Sequence, residues 1–438
     1  MGRIGHITKR IQQVYNLITM TQKKSMSTAL TFSACILWVF GITVFSSSFS
    51  QANPHSQAIR LFDRLTGIPI SLSDPRLAQM ENLIANGKLG EAAKVASDDD
   101  HFFNLTIKKF AAPMSNRSED PTVPLNDFSA TVIGMARDDI DARNFFTADY
   151  IYKSSVTGTT TYNPDGSGFI PIDIQVDQSI YKGDMHYLYL DSQNINLRQS
   201  LVQIPQKAFP ETGTLSVTPD ILPDTAGLIT TRAWATEHFN AGTNRRVTEF
   251  IFREFLCTPV KSLRDASMLD ERVRQDVSRI PSGNSNLYQT TCRSCHGGLD
   301  GNTGAFAYFD GDRARGGFLV YKAGLVRDKY SQNQNYADGF ATRDDSWVNH
   351  YINNQNAFLG WKGSTSGYGA HQLGIMFSNT DAFPSCMATR AFNAMCKHPP
   401  TSEDQTWVNA LATDFQKNGY KLRRLFEQAA MIPSCLGD

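Results

Sequence analysis

The sequence predicts a mainly α protein with a small β-rich insertion, and three observations carry this. Apolar residues recur at helical spacing on both sides of the insertion. Leu77, Met80, Leu83 and Ile84 do so early, Val247, Phe250, Ile251 and Phe255 in the middle, and Leu422, Leu425, Phe426 and Ala429 near the end. Clear period-two alternation is confined to the insertion, where FIPIDIQV (169–176) follows the turn signal Asn163-Pro164-Asp165-Gly166. Hydrophobic residues make up 41% of 438, enough for large packed cores, while 31 Gly and 18 Pro are too ordinary for a collagen-like or low-complexity chain.

Taken in order, residues 1–52 read as an export signal. Lys23 and Lys24 precede an apolar run from Leu30 to Phe45, and the small, polar SSSFSQAN follows. Ser50 and Ala52 occupy the small-residue positions of a cleavage site, which places the cut after Ala52. The run is about 16 residues, short of the roughly 20 needed for a span, and it ends in serines rather than positive charges. Retained instead of cleaved, it would anchor the chain in a membrane. Cys35 lies inside the run with apolar residues after it, which argues against a lipidated cysteine. Met20 and Met26 are alternative starts. The address is the periplasm or cell surface, where thiols tend to pair.

Residues 53–150 form an N-terminal helical region. Ser73-Asp74-Pro75 opens a helix that Gly87 closes. A second helix runs from Leu89 to Ala96, and a third carries Phe128, Val132, Met135 and Ile140 on one face. Asp98, Asp99 and Asp100 between them read as a solvated loop and cap. Residues 151–235 form the β-rich subdomain: Tyr152 to Tyr162, then 169–176, then Met185 to Leu190 as a further strand. Residues 236–438 return to helices. Thr243-Asn244 opens one and Thr258-Pro259 ends it, and two or three more follow from about 381. No repeat at a fixed period is present.

Charge removes several function classes. Lys plus Arg and Asp plus Glu are 42 each. That balance excludes a nucleic-acid binder built on a general basic surface, a polybasic membrane patch and a charged disordered tail as the main feature. Seven cysteines are too few for a disulfide-dense scaffold.

Cys292-Arg293-Ser294-Cys295-His296 is CxxCH, the signature of covalent haem c attachment. Composition alone gives about 0.002 chance matches to that spacing, so the motif is not an accident of composition. Two cysteines three apart on a helical turn reach the two vinyl groups of one porphyrin, and the next residue, His296, is held where its imidazole ligates the iron from the proximal side. Gly297-Gly298 then offers a backbone that turns tightly beside the ring. A zinc site would need a second cysteine pair at matching spacing, and none exists. A thioredoxin-like CxxC should follow a strand, whereas SGNSNLYQTT reads as a polar loop or short helix.

One CxxCH means one haem. For the sixth iron ligand, Met376 is the first candidate, following the Gly-rich loop GYGAHQLG and opening a helix. His371, inside that loop, is the second. His350, Met387, Met395, His186 and His238 are also present. An open or water-bound position would change the function. The other cysteines, Cys257, Cys386, Cys396 and Cys435, suggest two disulfides with three pairings. If Cys386 and Cys396 share a helix they stand about 15 Å apart, too far to bond, so Cys257 or Cys435 bonds one of them. Asp310, Asp312, Asp344 and Asp345 could bind calcium, but DGDRARGG reads better as a turn. No Ser-His-Asp order, HExxH, P-loop or Rossmann fingerprint appears.

Two stretches, AGTNRRVTEFIFREFLC (241–257) and CRSCHGGLDGNTGAFAYFD (292–310), resemble the haem-bearing domain of the planctomycete-cytochrome-like group of bacterial cytochromes. The stretches SCMATRAFNAMCKHPP and FQKNGYKLRRLFEQAAMIPSC resemble that group's C-terminal helical domain. The resemblance covers roughly 235–438 and implies haem c, export and a helical cytochrome c-like domain, but no reaction and no sixth ligand. The expectation is an exported monohaem electron carrier that serves a redox partner protein. The rivals are a peroxidase-like haem oxidoreductase with an open distal iron, and a haem subunit whose long N-terminal region binds a partner.

Overall fold

Asp74 begins its helix as the Ser-Asp-Pro signal requires, and most locally encoded helices form in the same way. The computed structural model describes residues 53–437 apart from 157–158, 162–170, 174–179, 212–216, 240–243, 264, 266, 270–280, 313–316 and 331–341. The export signal with Cys35, the Asn163–Gly166 turn and most of FIPIDIQV lie outside the described residues. α1 (Pro54–Thr66), α2 (Pro75–Ala85) and α3 (Leu89–Ser97) pack on one another. The Asp74 side chain accepts from the Arg76 N–H, and Pro75 stands at the first turn.

A π-helical turn, Phe102–Ile107, runs into α4 (Lys108–Met114). α5 (Asp127–Arg137) follows, started by a reciprocal Asn126–Ser129 capping box. Phe128 through Ala136 are all buried, so α5 is the central helix, enclosed on every side. Ile140 lies beyond its end rather than on its face. The Ile140 N–H reaches back to the Met135 carbonyl at 2.9 Å, while Asp139 takes φ 51°. This closes the helix with an apolar residue folded under it. The three aspartates after α3 do more than cap a loop. Asp98 pairs with Arg423 at 2.7 Å, Asp99 with Arg76 at 2.6 Å, and Asp100 accepts from the Asn196 amide at 2.5 Å.

The β content is a set of two-stranded antiparallel ribbons. β1 (Tyr150–Ser154) pairs with the later β4 (Leu201–Pro205), and β2 (Thr159–Thr161) with β3 (Pro171–Asp173). β5 (Lys207–Ala208) pairs with β6 (Asp220–Ile221). Met185 to Leu190 is not a strand but part of α6 (Met185–Ser192). Its buried residues are His186, Tyr187 and Leu190, at i, i+1 and i+4. Alternation of apolar and polar side chains suggested a strand, but burial follows the helical period.

α7 (Arg232–His238) and α8 (Arg245–Leu256) follow, and Val247, Phe250, Ile251 and Phe255 are buried as their spacing requires. α8 stops at Cys257, in the left-handed region, just before Thr258-Pro259. Then come α9 (Arg293–Thr303), the hairpin β7 (Phe309–Asp312)–β8 (Phe318–Tyr321), and the pair β9 (Ser346–Val348)–β10 (Ser366–Tyr368). The chain closes with α10 (Gly369–Ser378), α11 (Ala382–Cys396), α12 (Gln405–Lys417) and α13 (Leu422–Ala430).

α13 packs back on α3 and α1, and its Glu427 accepts from the buried Ser97 hydroxyl at 2.6 Å. One hydrophobic core therefore runs from Ala58 to Leu436 through all three sequence regions. Phe255 packs against Phe146 at 5.0 Å, and Phe146 against Phe383 at 5.2 Å. Each such buried ring contributes about 1.5–3 kcal/mol. Cys257 bonds Cys386 and Cys396 bonds Cys435, with Cα separations of 5.2 and 4.2 Å. Cys386 and Cys396 do share one helix, α11. The fold is mainly α with small β ribbons, as predicted. Among the described residues no helix is long and apolar enough to cross a membrane.

Candidate cofactor site

The CxxCH motif lies at the junction of two helix types. Asn284 caps a helical turn, Ser285–Leu287, which passes into a π-helical turn, Tyr288–Cys292, and then into α9. The approach is helical, not a strand, so the setting of a thioredoxin-like dithiol is missing. π-turns inside helices recur at functional sites.

Helical spacing sorts α9 and its lead-in into two faces. Tyr288, Cys292, Cys295, His296 and Leu299 follow at i, i+4, i+7, i+8 and i+11, forming one stripe. Cys292, Cys295 and His296 are half-buried. Tyr288 is enclosed and packs with Cys292 in a small cluster apart from the main core.

The opposite face is built for close contact. Gly297 and Gly298 are buried inside the helix and make no turn beside a ring. A Cβ on Gly297 would stand 2.7 Å from the Leu269 carbonyl oxygen. On Gly298 it would overlap the Tyr351 ring, and on Gly301 the Val348 carbonyl oxygen. The glycines therefore let two loops lie directly on the helix.

Those loops also bond to it. The Arg293 Nε donates to the Met268 carbonyl at 2.6 Å and its Nη1 to Gln289 at 2.8 Å. The Tyr351 hydroxyl donates to the Cys295 carbonyl at 3.3 Å, and burial holds this phenol well above its ordinary pKa. Farther along, buried Asp300 accepts from Arg245 of α8 at 2.5 Å, and Thr248 and Thr303 share a hydrogen bond at 3.1 Å. α9 is thus clamped from three sides.

The donor set fits a covalently bound haem. Cys292 and Cys295 are free thiols, while the other four cysteines among the described residues are paired. Both thiols share a half-open face with His296. Leu269, Leu287 and Ile352, on segments near the motif, are exposed. Among the described residues, no three His, Cys, Asp or Glu side chains gather to hold a metal ion. Asp310 lies in β7 and binds Lys329 at 2.7 Å.

The sixth-ligand candidates are scattered. Met376 lies deep inside α10 rather than at its opening, 2% exposed, and its sulfur accepts from the Asn349 amide at 3.4 Å. His371 is in the first turn of α10, not in a loop. Its Nδ1 pairs with the Thr225 carbonyl at 2.9 Å. Within GYGAHQLG the helix begins at Gly369, where the distant Asp224 accepts from the N–H groups of Ala370 and His371, both at 2.8 Å. Burial raises the Asp224 pKa.

His186 accepts from the Ser154 N–H at 2.9 Å. His238 is fully buried between Trp234 and Phe250, with ring centroids 4.3 Å away on either side, and burial depresses its pKa strongly. The His350 ring lies against Gly301. Met387 and Met395 are fully buried in α11. Sequence reasoning missed Arg293, Tyr351 and Met268, whose roles rest on long-range contacts with no local signal. No protein-family model, curated protein or solved structure matches the chain.

Proposed function

We propose that this chain is an exported monohaem c-type cytochrome, with haem c bound through Cys292 and Cys295 and His296 as its proximal ligand. The observation that carries the reading is the pair of free thiols beside His296 on one half-open helical face, in a chain whose other described cysteines are bonded. The likeness of 235–438 to the planctomycete-cytochrome-like group agrees with it. When bound, such a haem supplies an iron that gains or loses one electron.

The chain's residues do the positioning. Cys292 and Cys295 would hold the ring by two covalent points. His296 follows Cys295 directly and would supply the iron's proximal ligand. Arg293 and Tyr351 hold the backbone at either end of the motif. A haem held on this half-open face would exchange electrons with a redox partner protein. The export segment at 1–52 and the two disulfides favour the periplasm or cell surface.

The test is expression in a host that attaches haem to CxxCH during export. The expected product keeps one haem through a denaturing gel and gains the mass of one haem. The double variant Cys292→Ser/Cys295→Ser should lose it while keeping both disulfides. Wild-type protein without covalent haem in that host would refute the reading.

A further inference from the structure

We infer that the cleft between α12 and α13 is a binding site for a neutral saccharide. No residue of the CxxCH segment lines it, and the inference does not depend on the haem reading.

The two helices present matching faces. Trp407, Leu411 and Asp414 follow at i, i+4 and i+7 along α12. Gln428, Met431 and Ile432 follow at i, i+3 and i+4 through the end of α13. Together they line a cavity of about 310 Å³, at the small end of the range for small-molecule sites. Leu411 and Ile432 are buried and make part of the lining apolar. Trp407 is 48% exposed, whereas Trp234 and Trp347 are buried and Trp361 is half-buried. An indole left half in water is apolar surface that a stacked ligand would cover.

The walls are fixed before any ligand arrives. At one end Asp414 accepts from Nε and Nη2 of Arg424, each at 2.9 Å. At the other, the Ser434 hydroxyl donates to Asp404, just before α12, at 2.8 Å, and Cys435 is bonded to Cys396 of α11. A preformed cleft avoids part of the ordering cost of binding.

The polar groups set the class of ligand. Asp414 is the one charged residue in the lining, and Arg424 already answers it. An anion would meet a carboxylate, and a cation would find that carboxylate's charge compensated. The Gln428 carboxamide is bonded to no other group of the protein. A wholly apolar ring laid on Trp407 would cover it and the Asp414 oxygens without pairing them. Both walls are helices, so an extended peptide finds no strand edge to join. A sugar ring meets every demand. Its C–H face lies on the indole, and its hydroxyls bond the carboxamide and the carboxylate.

The experiment titrates the full-length protein with glucose, galactose, mannose and N-acetylglucosamine and with their disaccharides, by calorimetry and tryptophan fluorescence. The expected result is saturable binding of at least one of these sugars at one site per chain, equal in haem-loaded and haem-free protein. Trp407→Ala should weaken it roughly thirtyfold, and Gln428→Leu roughly fivefold, while Trp407→Phe keeps an aromatic face and most of the binding. Urea midpoints equal to that of wild type show that the variants remain folded, and Gln428→Leu carries the test if Trp407→Ala does not. Absence of saturable binding by every sugar overturns the inference. So does binding that survives both substitutions, or a cleft that takes phenol or a proline-rich peptide in preference to every sugar.

Discussion

Replacing Cys257 and Cys386 together by alanine tests both the pairing and the compartment it implies. The bond joins residues 129 apart in sequence. A loop of that length restricts the unfolded chain by roughly 17 cal/mol/K, or about 5 kcal/mol at room temperature. For Cys396 and Cys435, 39 apart, the same relation gives about 4 kcal/mol. Either loss is a large fraction of the 5–15 kcal/mol typical of a folded protein.

The assay is urea unfolding of the protein without haem, followed by tryptophan fluorescence, with and without reductant. Wild type should lose several kcal/mol on reduction, and each double variant should lose its share before reductant is added. Counting thiols gives an independent check. In the native chain Cys292 and Cys295 should react, and the four others only after unfolding and reduction. Double variants that unfold at the wild-type midpoint, or a midpoint unmoved by reductant, would refute the pairing. So would extra reactive thiols in the native chain.

Two further predictions concern packing and pH. Gly301→Ala pushes a methyl group into the Val348 carbonyl, and backbone moves less readily than a side chain. Overpacking of about 1–3 kcal/mol exceeds the gain of up to about 1 kcal/mol in helix propensity. The variant should therefore unfold at lower urea, while Gly183→Ala, with nothing within 4 Å of its new methyl, stays within about 0.5 kcal/mol of wild type. Equal stability of the two would sink the close-contact account of the α9 glycines.

Asp127 is fully buried, and desolvation pushes its pKa up to about 6, against about 3.9 in an unfolded chain. Between those values the folded state keeps the proton that the unfolded state releases. Stability should therefore fall by roughly 3 kcal/mol as pH rises from about 4 to about 6. Asp127→Asn should remove this part of the slope. Identical slopes in wild type and variant, measured by urea unfolding at each pH, would count against a raised pKa at Asp127.

What could be read from the sequence follows the distance over which each signal acts. The start of α2 lies in three consecutive residues, and the buried stripes of α8 and α13 in twelve or fewer, so they were legible. The CxxCH spacing could be read for the same reason, being complete within five residues. α10 was misread as a loop at its start, because the carboxylate that caps it, Asp224, is about 145 residues upstream. Met185 to Leu190 misled because a short stretch can alternate apolar and polar residues and still be helical, while tertiary burial decides the period. Helical rise could exclude a Cys386–Cys396 bond, but choosing between the remaining pairings needed to know that the end of α8 meets the start of α11.

Gly297 and Gly298 show the limit most clearly. A glycine pair can mark a turn or a close approach, and only the partner decides. Here the partners are Leu269 and Tyr351, one before the motif and one well after it. This division has a physical reason. Under the proposed haem reading, two thiols and an imidazole would meet one rigid ring at lower cost if their mutual angles were already fixed, because each side chain ordered on binding loses rotamer entropy. A helix fixes those angles along its axis but cannot fix its own rotation in the protein. That rotation is set by the glycine contacts on one side and the Asp300–Arg245 pair farther along. The motif would therefore name the chemistry, and residues outside it decide which way it faces.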